Sequence, residues 1–516
     1  MRKLAALLLG LAIPLSCLTP VAAATTRAAE PGTTIAESAI SWTPCPEDPA
    51  VECGTLAVPI DWKRPASGTF DVAVARRRAT DPAARIGALA LGAGGPGGSG
   101  VNLVLTGPTL LSPEILRRFD VVGLDPRGTN RSHPVVCSTD LMTQAPDPIM
   151  RSQADFDRRL AYNERLRADC RARTGPLFDH VDSLSTVADL DAFRAALGEE
   201  RLSFYGGSYG TLLGQQYAER HPQRVRAFTL DSTMDHSLDT QGFMETEAWG
   251  AQDAFNEFTA WCDRDSRCLQ HGEDVRAFWR ALLARADRGE LRDPERPDLE
   301  VTAFTLIQAA VRHFYNPAAW RPLSQLLADL DSGRATREGA LSVPADGTPE
   351  VSPYPLQIFC LDFRLPVRDY REYGRHLRRM TKVAPDMRYS PLSIAPVVTC
   401  LGQPDPIPNP QHRLKVRTST PVLVVNSKHD PATVYPWATS TTRQLGRSGR
   451  LLTYEGWGHI AYGKGACVTE AVDSYLISQT LPARGASCPA VPPAEARTIQ
   501  DLLTALPGTP GWTLPM

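Results

Sequence analysis

Leu202-Ser203-Phe204-Tyr205-Gly206-Gly207-Ser208-Tyr209-Gly210-Thr211 is a short β-prone run that breaks into glycine, serine and glycine. Thr211, Leu212, Leu213, Gln215, Gln216, Tyr217 and Ala218, which suit a helix, follow at once. Strand, sharp turn and helix form the setting in which a G-x-S-x-G pattern lifts a serine hydroxyl out of the backbone. The turn is strained, and only glycine lets the neighbouring chain pass that closely. Gly206 and Gly210 hold the flanking places, which makes Ser208 the candidate nucleophile. The bare pattern also arises by chance in glycine-rich chains, so the reading requires a base, an acid and an oxyanion hole elsewhere.

Upstream, residues 70–74 alternate like a half-exposed strand, whereas residues 86–91 are continuously apolar and suit a buried one. The buried run empties into Gly92-Ala93-Gly94-Gly95-Pro96-Gly97-Gly98-Ser99-Gly100. Gly92, Gly94 and Gly97 match a dinucleotide fingerprint, with Asp125 in the place of the ribose acid, but Pro96 interrupts the loop and no helix with clear small-residue packing follows immediately. An oxyanion loop, whose free N–H groups face a developing negative charge, fits better beside a serine elbow. Phe119–Leu124 is a further strand ending in Asp125-Pro126-Arg127-Gly128, and Asp125 and Arg127 are expected to brace the sheet end as an ion pair. Residues 186–197 read as an amphipathic helix with Thr186 and Asp189 at capping-box spacing and Gly198 as its stop. Residues 225–230 form another strand, closed by Asp231. Strands alternating with helices at this spacing predict an α/β fold with a mostly parallel central sheet.

From 235 to 413 the pattern turns helical. Val275, Phe278, Trp279, Leu282, Leu283 and Ala286 keep helical spacing, as do Trp320, Leu323, Leu326, Leu327 and Leu330, and these stripes are packing faces rather than ligand sites. Proline-rich 403–410 reads as an exit linker. The strand rhythm resumes at 422–425 and 451–454. Asp430 follows the first of these strands in His429-Asp430-Pro431, and His459 follows the second in Gly456-Trp457-Gly458-His459.

The chain order Ser208, Asp430, His459 is that of α/β-hydrolases, unlike the chymotrypsin and subtilisin orders. A serine hydroxyl is a poor nucleophile until a base takes its proton, and neutral imidazole is the side chain suited to that near neutral pH. His459 is that base, and Asp430 holds its tautomer and offsets the imidazolium. The N–H of Tyr209, with one from Gly94 or Gly95, is expected to hold the oxyanion. His429, next to the acid, is read as structural.

The chain has 516 residues and a formal net charge of −2, with no basic face for nucleic acid and no acidic tail. Arg2 and Lys3, an apolar run over 4–18 and Ala22-Ala23-Ala24 read as an export signal over 1–24, followed by a polar leader or propeptide over 25–39. Pro14 fits a lipid-anchor motif at Cys17 poorly, and no other run is long enough to span a bilayer. Apart from Cys17 the cysteines form an even set, which suits an oxidising compartment. Neighbours along the chain suggest Cys45 with Cys53, Cys137 with Cys170, Cys262 with Cys268, Cys360 with Cys400, and Cys467 with Cys488, although sequence alone leaves connectivity open. No cysteine or histidine cluster has zinc spacing, so neither a metal nor a cofactor is expected.

Ile40-Ser41-Trp42 with Cys45, Glu52-Cys53, Val58-Pro59-Ile60-Asp61, Gly94-Gly95-Pro96-Gly97-Gly98-Ser99-Gly100, Asp125-Pro126-Arg127-Gly128, Gly206-Gly207-Ser208-Tyr209-Gly210 and Gly458-His459 together resemble the secreted tripeptidyl aminopeptidases of actinomycetes. These are relatives of proline iminopeptidases, and the resemblance covers nearly the whole chain after the signal. It implies an α/β-hydrolase core over 40–234 and 414–516 with an inserted helical cap over 235–413. It also implies a secreted, monomeric serine exopeptidase acting on free peptide or protein N-termini. The chain departs from the pattern at Ala93, where related iminopeptidases carry histidine, at Ala432 and Val434 after the acid, and at Gln403, where a tryptophan often stands. An aminopeptidase must bind a substrate ammonium, for which Glu245, Glu247 and Asp362 are the candidates. An esterase or lipase-like hydrolase or a prolyl aminopeptidase would use the same triad, and a non-catalytic binding protein on this scaffold is the more distant alternative.

Overall fold

Strands buried on both faces cannot alternate apolar with polar residues, and two such strands form the middle of the structure. In the computed structural model, which describes residues 40–294, 296–334 and 350–493, they are β4 (Gly87–Gly92) and β5 (Phe119–Leu124), buried throughout. Ala88 and Ala90 face one apolar core, and Leu89 and Leu91 face the other across the sheet. The expected signal, leader and Cys17, and a helix suggested by residues 498–506, lie outside the described residues.

Around this pair the sheet has ten strands. β1 (Thr43–Pro44), β2 (Glu52–Pro59) and β3 (Thr69–Arg77) run antiparallel along one side, and β3 pairs antiparallel with β5. From β5 onward every pairing is parallel: β5, β4, β7 (Leu202–Gly207), β8 (Val225–Asp231), β10 (Val422–His429), β11 (Gly449–Trp457) and β12 (Ser487–Cys488) lie side by side in that order. β6 (Val136–Ser138) and β9 (Val351–Pro353) form a separate antiparallel pair.

Between β8 and β10 the described chain is mainly helical, with long helices at Thr240–Arg264, Val275–Asp287, Ala303–Phe314, Trp320–Ser332 and Tyr370–Val383. The sequence reading assigned no element to the 22-residue helix Gln153–Thr174. Its buried face mixes Phe156, Tyr162, Leu166 and Cys170 with Arg159 and Asn163, which blunts its apolar period. Disulfides join Cys45 to Cys53, Cys137 to Cys170, Cys262 to Cys268, Cys360 to Cys400 and Cys467 to Cys488.

Two local expectations are corrected. The helix before β7 begins at Ser183, not Thr186, because the Asp182 carboxylate caps it by accepting from the Ser185 N–H at 3.0 Å. Asp189 therefore lies inside the helix, free to bond elsewhere. Its two oxygens accept from the Arg127 guanidinium at 2.6 and 2.7 Å, and Trp62 Nε1 donates to it at 2.8 Å. Arg127 also donates to the carbonyls of Pro59, Ile60 and His180. Asp125 pairs not with Arg127 but with the Ser99 hydroxyl and the N–H groups of Val101 and Arg131. Arg127 thus has its charged partner on the helix before β7, whereas the cation paired with Asp125 is Arg131, six residues further along, at 3.5 Å.

Arg127 and Asp189 are both fully buried, and removing one charge of such a pair leaves the other uncompensated in a poorly solvating interior. Asp189→Asn is expected to lower unfolding stability by about 3–5 kcal/mol in urea denaturation. A loss below about 1 kcal/mol would place the pair among those that contribute little.

Candidate active site

The carboxyl ends of adjacent parallel strands converge on one edge of the sheet, where open α/β folds hold their ligands. β7 ends in the elbow. Ser208 sits in the left-handed region at φ 56°, uncommon outside glycine, and its N–H donates to the Asp231 carbonyl on β8 at 2.9 Å. The helix Gly210–Arg220 starts directly behind it. β4 pairs with β7 so that Gly92 stands opposite Gly206, which delivers the glycine loop to the serine. A Cβ on Gly94 would lie 2.9 Å from Ser208 Cβ, so only glycine permits this approach. Among the described residues, the N–H groups of Tyr209, Gly94 and Gly95 meet no acceptor. Free donors at the nucleophile are what an oxyanion hole requires.

Asp430 follows β10 and His459 follows β11, the next two strands after β8. His459 Nδ1 lies 3.0 Å from both Asp430 oxygens, and because a carboxylate can only accept, Nδ1 carries a proton, which leaves Nε2 as the nitrogen that can exchange one with the serine. Asp430 is buried yet well supplied with donors. The N–H groups of Ala432 and Thr433 reach Oδ1 at 2.9 and 3.0 Å, while the hydroxyls of Ser232 and Thr433 reach Oδ2 at 2.7 and 3.0 Å. Burial by itself raises this carboxyl. The charge and hydrogen bond of His459, with the Ala432 and Ser232 donors, outweigh burial and hold it below the ordinary aspartate value. The group therefore stays anionic to orient His459.

Two of the helices that follow β8 also reach the site. The Tyr315 carbonyl, just past the helix Ala303–Phe314, accepts the His459 N–H at 2.9 Å, and the two rings stack edge-on with centroids 4.9 Å apart. Glu247, on the helix Thr240–Arg264, is 2% exposed and accepts one hydrogen bond, from the Ser390 hydroxyl at 3.1 Å. Burial drives its carboxyl well above the ordinary value; the Ser390 hydroxyl opposes this and the charge of Asp430 adds to it. Burial, then the charges of Glu247 and Asp430, also push the Tyr315 phenol up. A Cβ on Gly250, one turn along the same helix from Glu247, would lie 3.5 Å from the Asp430 carbonyl oxygen, so this helix packs against the segment that carries the acid.

The other two candidates for binding an ammonium lie elsewhere. Asp362 is buried and accepts from the Ser183 N–H, the Ser183 and Tyr209 hydroxyls and Asn409 Nδ2, all within 2.8 Å. It anchors Tyr209, the residue after the nucleophile, and has no free lone pair for a substrate. Glu245 faces Arg379 at 3.8 Å. His429 pairs with Asp253 at 2.8 Å and has a structural role between β10 and the helix Thr240–Arg264.

Sequence reasoning assigned no role to Ser232, Thr433 or Tyr315. Ser232 sits at φ 59°, donates to Asp430 and accepts the Ile460 N–H at 2.8 Å. Its one sequence signal was its place immediately after a strand that ends in aspartate. Thr433, three residues past the acid, has its hydroxyl 3.3 Å from His459 Nδ1. Tyr315 carries no motif, since the group it uses is a backbone carbonyl.

A profile described as the alpha/beta hydrolase fold matches residues 92–466. The serine protease Hip1 of Mycobacterium tuberculosis is 33% identical over 485 residues, which cover 87% of this chain and 91% of that protein. The carboxylesterase B of the same organism is 32% identical over 89% of this chain and 91% of its own length. A tripeptidyl aminopeptidase of Streptomyces lividans is 28% identical over 88% and 87%. With the profile covering most of the chain, and with the elbow, the glycine loop and the acid and base all at the ends of adjacent parallel strands, this chain belongs to the α/β-hydrolase family.

Proposed function

We propose that this protein is a secreted serine exopeptidase that removes short peptides, tripeptides in particular, from free N-termini, with helical residues 235–413 acting as a cap over the site. The observation that carries the free-N-terminus reading is Glu247, a buried carboxyl with one hydroxyl partner, one turn from Gly250, where its helix packs against the Asp430 backbone. A substrate ammonium entering this region needs a counter-charge, and Glu247 supplies it by losing its proton on binding. Relatives named serine protease and tripeptidyl aminopeptidase support the peptidase class. Five disulfides support an oxidising compartment, and among the described residues no helix is long and apolar enough to cross a membrane.

His459 Nε2 takes the Ser208 proton as Oγ attacks the scissile carbonyl carbon, and the oxygen becomes an anion held by the N–H groups of Tyr209 and of Gly94 or Gly95. The imidazolium, steadied by Asp430, gives its proton to the leaving amine as the C–N bond breaks, leaving an ester on Ser208. Water repeats the sequence: His459 takes its proton, hydroxide attacks the ester, and the proton returns to Ser208 Oγ as the acid leaves.

The relative named carboxylesterase B favours a second reading, an esterase using the same triad. Assays of free tripeptidyl, dipeptidyl and prolyl amides against their acetylated forms and short esters separate the two readings. Dominant hydrolysis of esters and acetylated amides would sink the exopeptidase reading. Ser208→Ala is expected to abolish every activity in the panel, and turnover surviving in it would overturn the mechanism.

Gly94→Ala drives a methyl against Ser208 Cβ and is expected to cut kcat about 100-fold, since misplacement on the scale of 1 Å costs that much. An unchanged kcat would separate the glycine loop from the reaction. Glu247→Gln is expected to raise KM for free-amine substrates at least about 10-fold while sparing short esters. The pH dependence has a definite sign. Because the Glu247 carboxyl titrates well above the ordinary range, KM for free-amine substrates should fall as pH rises through that ionisation, then rise again as the substrate amine deprotonates at about pH 8. A KM that is flat with pH, or an equal effect of Glu247→Gln on acetylated peptides, would remove Glu247 from amine binding.

A further inference from the structure

His459 rides on the loop 458–465, between β11 and the helix Ala466–Ser478. This loop is gripped by two buried ionisable residues that the reaction as described leaves unused. From beneath, Asp231 at the end of β8 accepts the N–H groups of Ala461 and Tyr462 at 2.9 and 2.8 Å, and the Tyr205 hydroxyl at 2.8 Å. The preceding N–H, of Ile460, goes to Ser232. These bonds hold Ile460 at φ 62°, a conformation a β-branched residue adopts only when its surroundings impose it.

From the other end the loop is closed by Lys464, which is 2% exposed. Its Nζ donates to the Trp457 carbonyl at 2.6 Å and lies 3.4 Å from Ser427 Oγ, so the ammonium spans the entry and exit of the histidine loop. Room for it depends on Gly458, at φ 85°. A Cβ there would stand 2.8 Å from Lys464 Nζ and 2.5 Å from the Tyr315 carbonyl oxygen that accepts the His459 N–H.

Charge gives this contact a second consequence. A buried ammonium needs anions to offset its lost hydration, and two act on Lys464: Asp430, the partner of His459, and Asp231. The other titratable side chain against it is Tyr454 of β11, whose ring centroid is 5.8 Å from Nζ; what lies across Gly458 is the Tyr315 backbone carbonyl, which does not titrate, and His459 stands five residues back on the same loop. Burial pulls the ammonium down to about 7, and both carboxylates pull the other way, so it is charged on the acid side of neutrality.

We infer that Lys464 is a positioning residue for His459: it closes the histidine loop on Trp457, and its charge tempers the anionic field of Asp430 and Asp231 in which His459 accepts the Ser208 proton. The inference rests on the triad reading above. Removing the cation leaves two carboxylates unopposed, which favours the protonated imidazole, so the enzyme stays inactive to higher pH. Removing Asp231 acts in the opposite sense.

The test is the pH profile of kcat/KM for wild type, Lys464→Met, Lys464→Arg and Asp231→Asn, with Ser208→Ala as blank and thermal unfolding measured alongside. The acid limb is expected to move up by about one pH unit in Lys464→Met and down by a similar amount in Asp231→Asn, the size given by one unit charge acting across a partly screened interior. Lys464→Arg, which keeps the charge, should hold the wild-type limb. If Lys464→Met does not fold, Lys464→Gln, which keeps a donor for the Trp457 carbonyl but no charge, takes its place and must move the limb up in the same way. An acid limb that stays in place in every folded variant, with only kcat and Tm lowered, would reduce the pair to scaffolding and overturn the inference. Activity in Ser208→Ala would instead sink the triad reading, so the two failures are distinguishable.

Discussion

Parallel pairing of β4, β7, β8, β10 and β11 has one consequence on which the rest of the molecule depends. Strands that run in the same direction end at the same edge, so segments far apart in sequence are brought together there without any contact along the chain. The glycine loop leaves β4, Ser208 leaves β7, Asp231 and Ser232 close β8, Asp430 follows β10 and His459 follows β11. An antiparallel reversal anywhere in this run would send one of them to the opposite edge. The apolar runs that build the parallel core therefore also set the chemistry, since they fix the register of Gly92 against Gly206 and of Gly207 against Asp231.

The same edge collects buried charge, and the structure handles each case differently. Asp189 is neutralised by Arg127, and Asp362 is filled by four hydrogen-bond donors. Asp430 is held anionic by His459 and a ring of donors, whereas Glu247 keeps a single donor and a raised carboxyl. Burial is common to all four, so it is the surrounding donors and charges that separate a paired carboxylate, a fully bonded one, one held low and one held high.

The helix Thr240–Arg264 is bonded to the elements that flank Asp430 and His459, namely β10, β11 and the helix Tyr435–Leu445. Trp437 donates to the Thr246 hydroxyl at 2.8 Å, Trp457 to Glu257 at 2.7 Å, and His429 meets Asp253, all on the helix Thr240–Arg264. Tyr315 reaches furthest, since its carbonyl holds the backbone of His459 itself. The position of His459 is therefore tied to the end of the helix Ala303–Phe314 as well as to β11.

Ser208, Asp430 and His459 could be named from sequence because each sits in a short local pattern at the end of a readable strand, and the parallel sheet followed from the alternation of those strands with helices. The helix Gln153–Thr174 was not legible, because arginine and asparagine on its buried face break the apolar period. The partners of Arg127 and Asp125 were misjudged because nearness along the chain says little about which charges meet across a sheet edge. Ser232, Tyr315, Asp231 and Lys464 left almost no local trace, since what they contribute is a carbonyl, a hydroxyl or a charge presented to a residue on another strand. Sequence by itself determined which groups can do the chemistry and the order in which they occur. Only the tertiary structure decided what surrounds them, because hydrogen-bond partners and buried charges are chosen by the packing of distant segments.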